Sequence, residues 1–258
     1  MKLICIPILA ASVLLSACDE GSVSSSSDGD RLTGTGGSTA RMTIAGDYLY
    51  AIAGSTVQLF DIANPATPLP WTQVQIDWDI QTLFPYEDYL LVGAADGMHI
   101  LDNTDPASPQ YVGDFQHART IDPVVAQNDI AYITLKVDTS QPDTGITNQM
   151  NVVDISDVTQ PVLLNTIPMQ GPAGLSVSGN RLYVCDGVAG LKTFDISNAT
   201  QPVVQNAVPG VDCSDVIAAN NLLYVIDNDG LTQYDTTAET PLSISKIETE
   251  PVVYSEGR

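Results

Sequence analysis

The chain has 258 residues, with 9 Lys+Arg against 31 Asp+Glu and a formal net charge of −22. A surface this acidic repels nucleic-acid phosphates and anionic lipid headgroups, so nucleic-acid binding is excluded and charge cannot hold the protein on a membrane. Apolar residues make up 44% of the chain, enough for the core of one sizeable domain.

Lys2 opens a short basic start, and Ile4 to Leu15 is a mostly apolar run. That run is too short for a good membrane-spanning helix, which needs about 20 residues. It ends Leu15-Ser16-Ala17-Cys18, which resembles the bacterial lipoprotein signal. The resemblance implies removal of residues 1–17 and lipidation of Cys18; an ordinary secretory leader with a chance cysteine is the alternative. Asp19 follows, and in enteric lipoproteins an aspartate there favours the inner membrane. Residues 18–39 are Ser/Gly-rich with little to bury, so they are expected to form a disordered tether of roughly 25 Å r.m.s. reach.

From residue 40 onward the chain repeats. Tyr50, Leu91, Tyr132, Tyr183 and Tyr224 are equivalent, at spacings of 41, 41, 51 and 41. Asp61, Asp102, Asp154, Asp195 and Asp235 form a second equivalent set, each followed by a proline six or seven residues on. A period near 41, rich in Val, Ile and Tyr and punctuated by Gly, Asn, Asp and Pro, predicts one four-stranded blade per repeat. The expected fold is all-β: a five-bladed β-propeller of four-stranded antiparallel blades, preceded by the signal peptide and flexible tether. The domain spans 40–258, with blades at about 40–78, 79–119, 120–170, 171–211 and 212–250. Every blade is contiguous in sequence, so the ring is expected to close without a shared blade. The rival is an open piece of a larger propeller completed by another copy.

"RLYVCDG", "GLKTFDISNATQP" and "VDCSDVIAANN" resemble the LVIVD family of bacterial β-propeller repeats, closely in repeats four and five and more loosely in one to three. The resemblance implies an exported propeller and supplies no catalytic residues.

In such blades strand a is innermost and d outermost, so the starts of a, the b–c loops and the d-to-a links share one face. Asp79, His117, Arg119, Asp122, Asp212 and Asp215 all fall there, as does a ten-residue insertion within 136–148. This is the candidate binding face. Cys185 ends strand b of blade four and Cys213 opens strand a of blade five. Outside the cytoplasm they are expected to form a disulfide tying the two blades; two separate buried thiols are the alternative. His99 falls in a column with Gln58, Asn151, Lys192 and Thr232, all polar, and is expected on a solvated strand face. The repeated aspartate reads as a turn former, and Trp71 and Trp78 read as packing residues, with a sugar-stacking platform as the alternative.

No nucleophile elbow, zinc-protease motif or phosphate loop occurs. The expected function is a non-catalytic binding or scaffold module of the bacterial cell envelope, anchored by lipid and meeting a protein or glycan partner, without a cofactor or metal. Two alternatives remain. One is a carbohydrate-active hydrolase using rim carboxylates such as Asp79, Asp212 and Asp215. The other is a calcium-dependent adhesion protein, although "DNDG" at 227–230 lacks the rest of an EF-hand loop.

Overall fold

The structure is a computed structural model that describes residues 32–33, 37–76, 79–117, 123–137, 147–238 and 240–248. A short strand, β1 (Leu32–Thr33), comes first. Blade one is β2 (Met42–Ala45), β3 (Tyr48–Ala53), β4 (Thr56–Asp61) and β5 (Leu69–Gln75). Blade two is β6 (Ile80–Glu87), β7 (Tyr89–Ala94), β8 (Gly97–Asp102) and β9 (Gln110–Gln116). Blade three is β10 (Val124–Gln127), β11 (Ile130–Leu135), β12 (Gln149–Asp154) and β13 (Val162–Pro168). Blade four is β14 (Pro172–Ser178), β15 (Arg181–Asp186), β16 (Leu191–Asp195) and β17 (Val203–Val208). Blade five is β18 (Cys213–Ala219), β19 (Leu222–Asp227), β20 (Gly230–Asp235) and β21 (Leu242–Glu248). Each blade pairs its four strands in sequence order, antiparallel, and β1 adds a fifth strand to the inner edge of blade two.

The repeated aspartate has the same task in every blade. Its Oδ1 accepts the backbone N–H two residues on: Ala63 for Asp61, Thr104 for Asp102, Ser156 for Asp154, Ser197 for Asp195 and Thr237 for Asp235. Bonds from Ser156, Ser197 and Thr237 hold the carboxyls of Asp154, Asp195 and Asp235 below the ordinary aspartate range. These Asx turns reverse the chain between the third and fourth strands. Just inside them the register slips by a residue in all five blades, a bulge that strengthens the local twist.

Strand alternation gives each blade two apolar faces, and stacking buries them. One cluster joins Tyr50, Val57 and Leu59 of blade one to Leu83, Leu90 and Val92 of blade two. A second runs through blades two, three and four, and a third joins Tyr183 and Cys185 of blade four to Val216, Leu223 and Val225 of blade five. Hydrogen bonds repeat the stacking. The Tyr50 hydroxyl donates to Pro106 O in blade two (2.8 Å) and that of Tyr132 to Ala199 O in blade four (2.9 Å). Burial raises both phenols to about 12.

Among the described residues no apolar cluster joins blade five to blade one. The expectation of a ring closed on itself is therefore corrected for the described residues: among them the five blades form a propeller with an open seam between the last and the first. Met42 and Ile44, on the face of blade one that looks toward blade five, are 63% and 60% exposed. The four residues equivalent to Met42 in the other blades are at most 1% exposed. The sequence hides this difference, because Met42 is as apolar as its equivalents and differs only in lacking a mate.

A central polar knot and a lateral cleft

Of the rim residues read from the sequence, Asp79, His117, Asp212 and Asp215 are described, at or near the ends of their strands. Asp79 precedes β6, His117 follows β9, and Asp212 precedes β18. Asp79 and Asp212 are exposed, and Asp212 accepts a 3.4 Å hydrogen bond from Asn228 Nδ2. Asp215 turns inward, toward the channel. Cys18, Arg119, Asp122, Trp78 and most of the insertion lie outside the described residues.

Asp215 is the centre of a polar knot on the axis. The hydroxyls of Thr39 and Ser38 donate to its two carboxylate oxygens at 2.5 and 3.5 Å. The Ser38 hydroxyl in turn accepts the Leu175 backbone N–H at 2.7 Å, and Ala40 O accepts that of Leu83 at 2.8 Å. The chain approaches so closely that a Cβ at Gly37 or at Gly174 would lie 2.1 Å from an Asp215 oxygen. At Gly174 the Cβ would also lie 2.6 Å from the Asp215 Cα, so only glycine fits there. The tether expected to run through residue 39 therefore ends sooner: Gly37–Thr39 belong to the domain, because Asp215 supplies acceptors that a Ser/Thr segment can satisfy. This was invisible in composition, where "GGST" reads as linker.

β1 pairs Leu32 with Glu87 and Thr33 with Tyr86, at the far end of β6. The N-terminal segment is thus held at the Glu87 end of β6, antiparallel to that inner strand. It turns at Gly37–Ala40, where Ala40 N–H donates to Gly37 O at 3.1 Å, and descends as β2.

Burial raises the Asp215 carboxyl above its ordinary value, against the lowering effect of the Thr39, Val216 and Ser38 bonds. An acid raised in the fold favours folding below its unfolded pKa and loses that contribution as pH rises through its folded value. Asp215→Asn removes the titration while keeping an acceptor. The melting temperature of the variant relative to the parent should rise by a few degrees between about pH 3.5 and pH 7; a pH-independent difference would contradict the assignment.

The structure also places His99 differently from the solvated position expected. The polar column faces the preceding blade, so His99, Asn151 and Thr232 are buried between blades. Its Nε2 lies 3.1 Å from Asp96 Oδ1. Beside it opens a lateral cleft of about 330 Å³ lined by Gln75, Ile76, Asp96, His99, Tyr111, Asp114 and Gln116. Tyr111 donates to Asp114 at 2.8 Å, and burial, then the Asp114 carboxylate, pushes its phenol up to about 12. Comparing columns finds the polarity but not which blade face a column occupies. Trp71 is a bridging residue, its indole N–H donating to Ala107 O of blade two at 2.9 Å. Among the described residues no group of three His, Cys, Asp or Glu side chains could hold a metal ion.

Cys185 and Cys213 form a disulfide with Cα atoms 5.4 Å apart. It links the end of β15 to the start of β18 on the candidate rim.

The LVIVD repeat model matches residues 36–73, 145–167 and 173–208. It covers blade one, the second half of blade three, and blade four, whereas the sequence reading favoured repeats four and five. In blade five the proline after the aspartate comes one residue early and Thr236-Thr237 replaces Ile196-Ser197. No curated protein sequence matches the chain. Among solved structures, a protein from Lactobacillus plantarum is similar with a TM-score of 0.65 at 15% identity, over 80% of this chain and 69% of that one. The periplasmic gluconolactonase PpgL of Pseudomonas aeruginosa gives 0.60 at 14%, over 79% and 68%. AztD of Citrobacter koseri gives 0.55 at 16%, over 77% of this chain, which spans only 59% of AztD. At these identities the likeness is one of fold. The chain is a five-bladed β-propeller that carries LVIVD repeats.

Proposed function

We propose that this propeller is a non-catalytic binding module held at the bacterial cell envelope by a lipidated Cys18, with its partner, a protein or a glycan, meeting the rim that carries Asp79, His117 and Asp212. The occupied axis supports this reading best. Gly37–Thr39 lie against Asp215, which takes from the channel a carboxylate that a glycosidase pair on that rim would need. Leu32 pairs at the Glu87 end of β6, the end away from the candidate rim, so a lipidated Cys18 would tether the domain by its other face and leave that rim accessible. A likeness to a gluconolactonase at 14% identity rests on the shared fold and does not weigh against this reading. No helix of the described residues is long and apolar enough to cross a membrane, and lipid would supply the hold.

The test is site-directed photo-crosslinking in membranes of the native host. Crosslinkers at Asp79 and Asp212 should capture one envelope partner, those at the opposite turns, Asp47 and Asn180, should not, and palmitate label should appear on the chain. Equal capture from both faces, capture only from Asp47 and Asn180, or a chain without lipid would overturn the reading.

A further inference from the structure

The open seam has two complementary halves. The back face of blade one presents Met42 and Ile44, 63% and 60% exposed. Their cross-strand neighbours Ala51 and Leu49 are only half-buried, whereas the equivalents of both in every later blade are buried. The forward face of blade five presents Tyr224, half-buried, and Ile226, 46% exposed. The equivalents of Tyr224 in blades one to four are at most 2% exposed. These are the two surfaces that mate at each of the four junctions within the chain, and here each lacks its mate.

The hydrogen bonding carries the same imprint. Tyr50 and Tyr132 each donate to the carbonyl four residues after the repeated aspartate of the next blade, Pro106 after Asp102 and Ala199 after Asp195. Tyr224 has no such bond among the described residues, and the corresponding carbonyl of blade one is that of Pro65.

We propose that the seam is an association surface for a second copy of this chain, whose blade one packs head to tail on blade five of the first. The repeat determines what fits: a mate for blade five must present an apolar back face at the Met42 and Ile44 positions and a carbonyl at the Pro65 position. The face on this molecule that meets those terms and is uncovered is its own blade one. In the contact, Tyr224 of one copy donates to Pro65 O of the next. Such a contact is heterologous, so it propagates into rings or chains of copies according to whether the rotation closes. Both copies are strongly acidic, so salt strengthens the association by screening their repulsion. This inference is independent of the proposed function.

Sedimentation velocity of the detergent-solubilised full chain tests it. The wild type should exceed the monomer mass increasingly with concentration, and more so at high salt. Ile44→Asp and Ile226→Asp, at exposed positions that leave the melting temperature unchanged, should each be monomeric. Mixed together, they should form a one-to-one dimer, since each retains the face that the other has lost. A wild type that stays monomeric, variants that associate normally, or a mixture that remains monomeric would each overturn the proposal. So would an Ile44→Cys/Ile226→Cys chain that crosslinks within one molecule, which would show the ring closing on itself.

Discussion

Lys192→Met is expected to destabilise the fold by about 3–5 kcal/mol, the range for a buried ion pair that loses one partner. Asp186, at the end of β15, has a side chain with no exposure, and Lys192 Nζ lies 2.5 Å from its Oδ2. Its Oδ1 accepts the backbone N–H groups of Gln170 and Gly171 at 2.7 and 2.8 Å. The carboxylate thus pins the link between blades three and four from within. Without the ammonium it stays buried with half of its acceptors uncompensated. Methionine matches the lysine stem in length, so the loss reports charge rather than volume. Urea denaturation checks the figure. The Asp186→Asn/Lys192→Met double variant should recover most of the loss, because an amide oxygen still accepts both N–H bonds and no charge remains to be compensated. A single variant within about 1 kcal/mol of the parent would show that the pair is solvated.

Removing the Cys185–Cys213 bridge should cost almost as much. The bonded residues are 28 apart in sequence, and a loop of that size is worth about 3–4 kcal/mol in the chain-entropy model. Cys185→Ala/Cys213→Ala should melt roughly 10 °C below the parent. The site is a poor one for collapse: both cysteines are buried in the apolar cluster with Tyr183, Leu191 and Val216. The effect should be largest in blade five, which has one neighbouring blade to hold it. Hydrogen exchange should show β18 to β21 opening before the other blades in the reduced protein. Uniform loss of protection would mean that the bridge acts on the whole ring.

How much of this was legible beforehand follows from what a repeat can carry. Comparing copies located the four strands of each blade, because a blade has to be rebuilt from the same pattern each time; β1, which has no counterpart in the repeats, falls in the stretch expected to be tether. It identified Asp61 and its four equivalents as turn formers, since a residue present in all blades cannot serve a unique site. The same comparison misplaced His99. Polarity in a column suggests solvent, whereas in blades two, three and five the back face buries this polar side chain against the preceding blade. Asp79, Asp212 and Asp215 looked alike as rim acids, but only Asp215 points to the axis, because neighbouring glycines at 37 and 174 let the backbone close around it.

The sequence by itself determined the blade, its strand order and its turn chemistry, all of which depend on contacts within about 41 residues. It also carried the two cysteines whose strand positions bring them to one rim. Only the tertiary structure decided the seam, the threading of residues 37–40 along the axis, and the burial of Asp215 and His99. Each of these depends on which surface meets which across the ring. A blade's local pattern is the same whether or not a neighbour stands beside it, so it is silent on where the stacking stops.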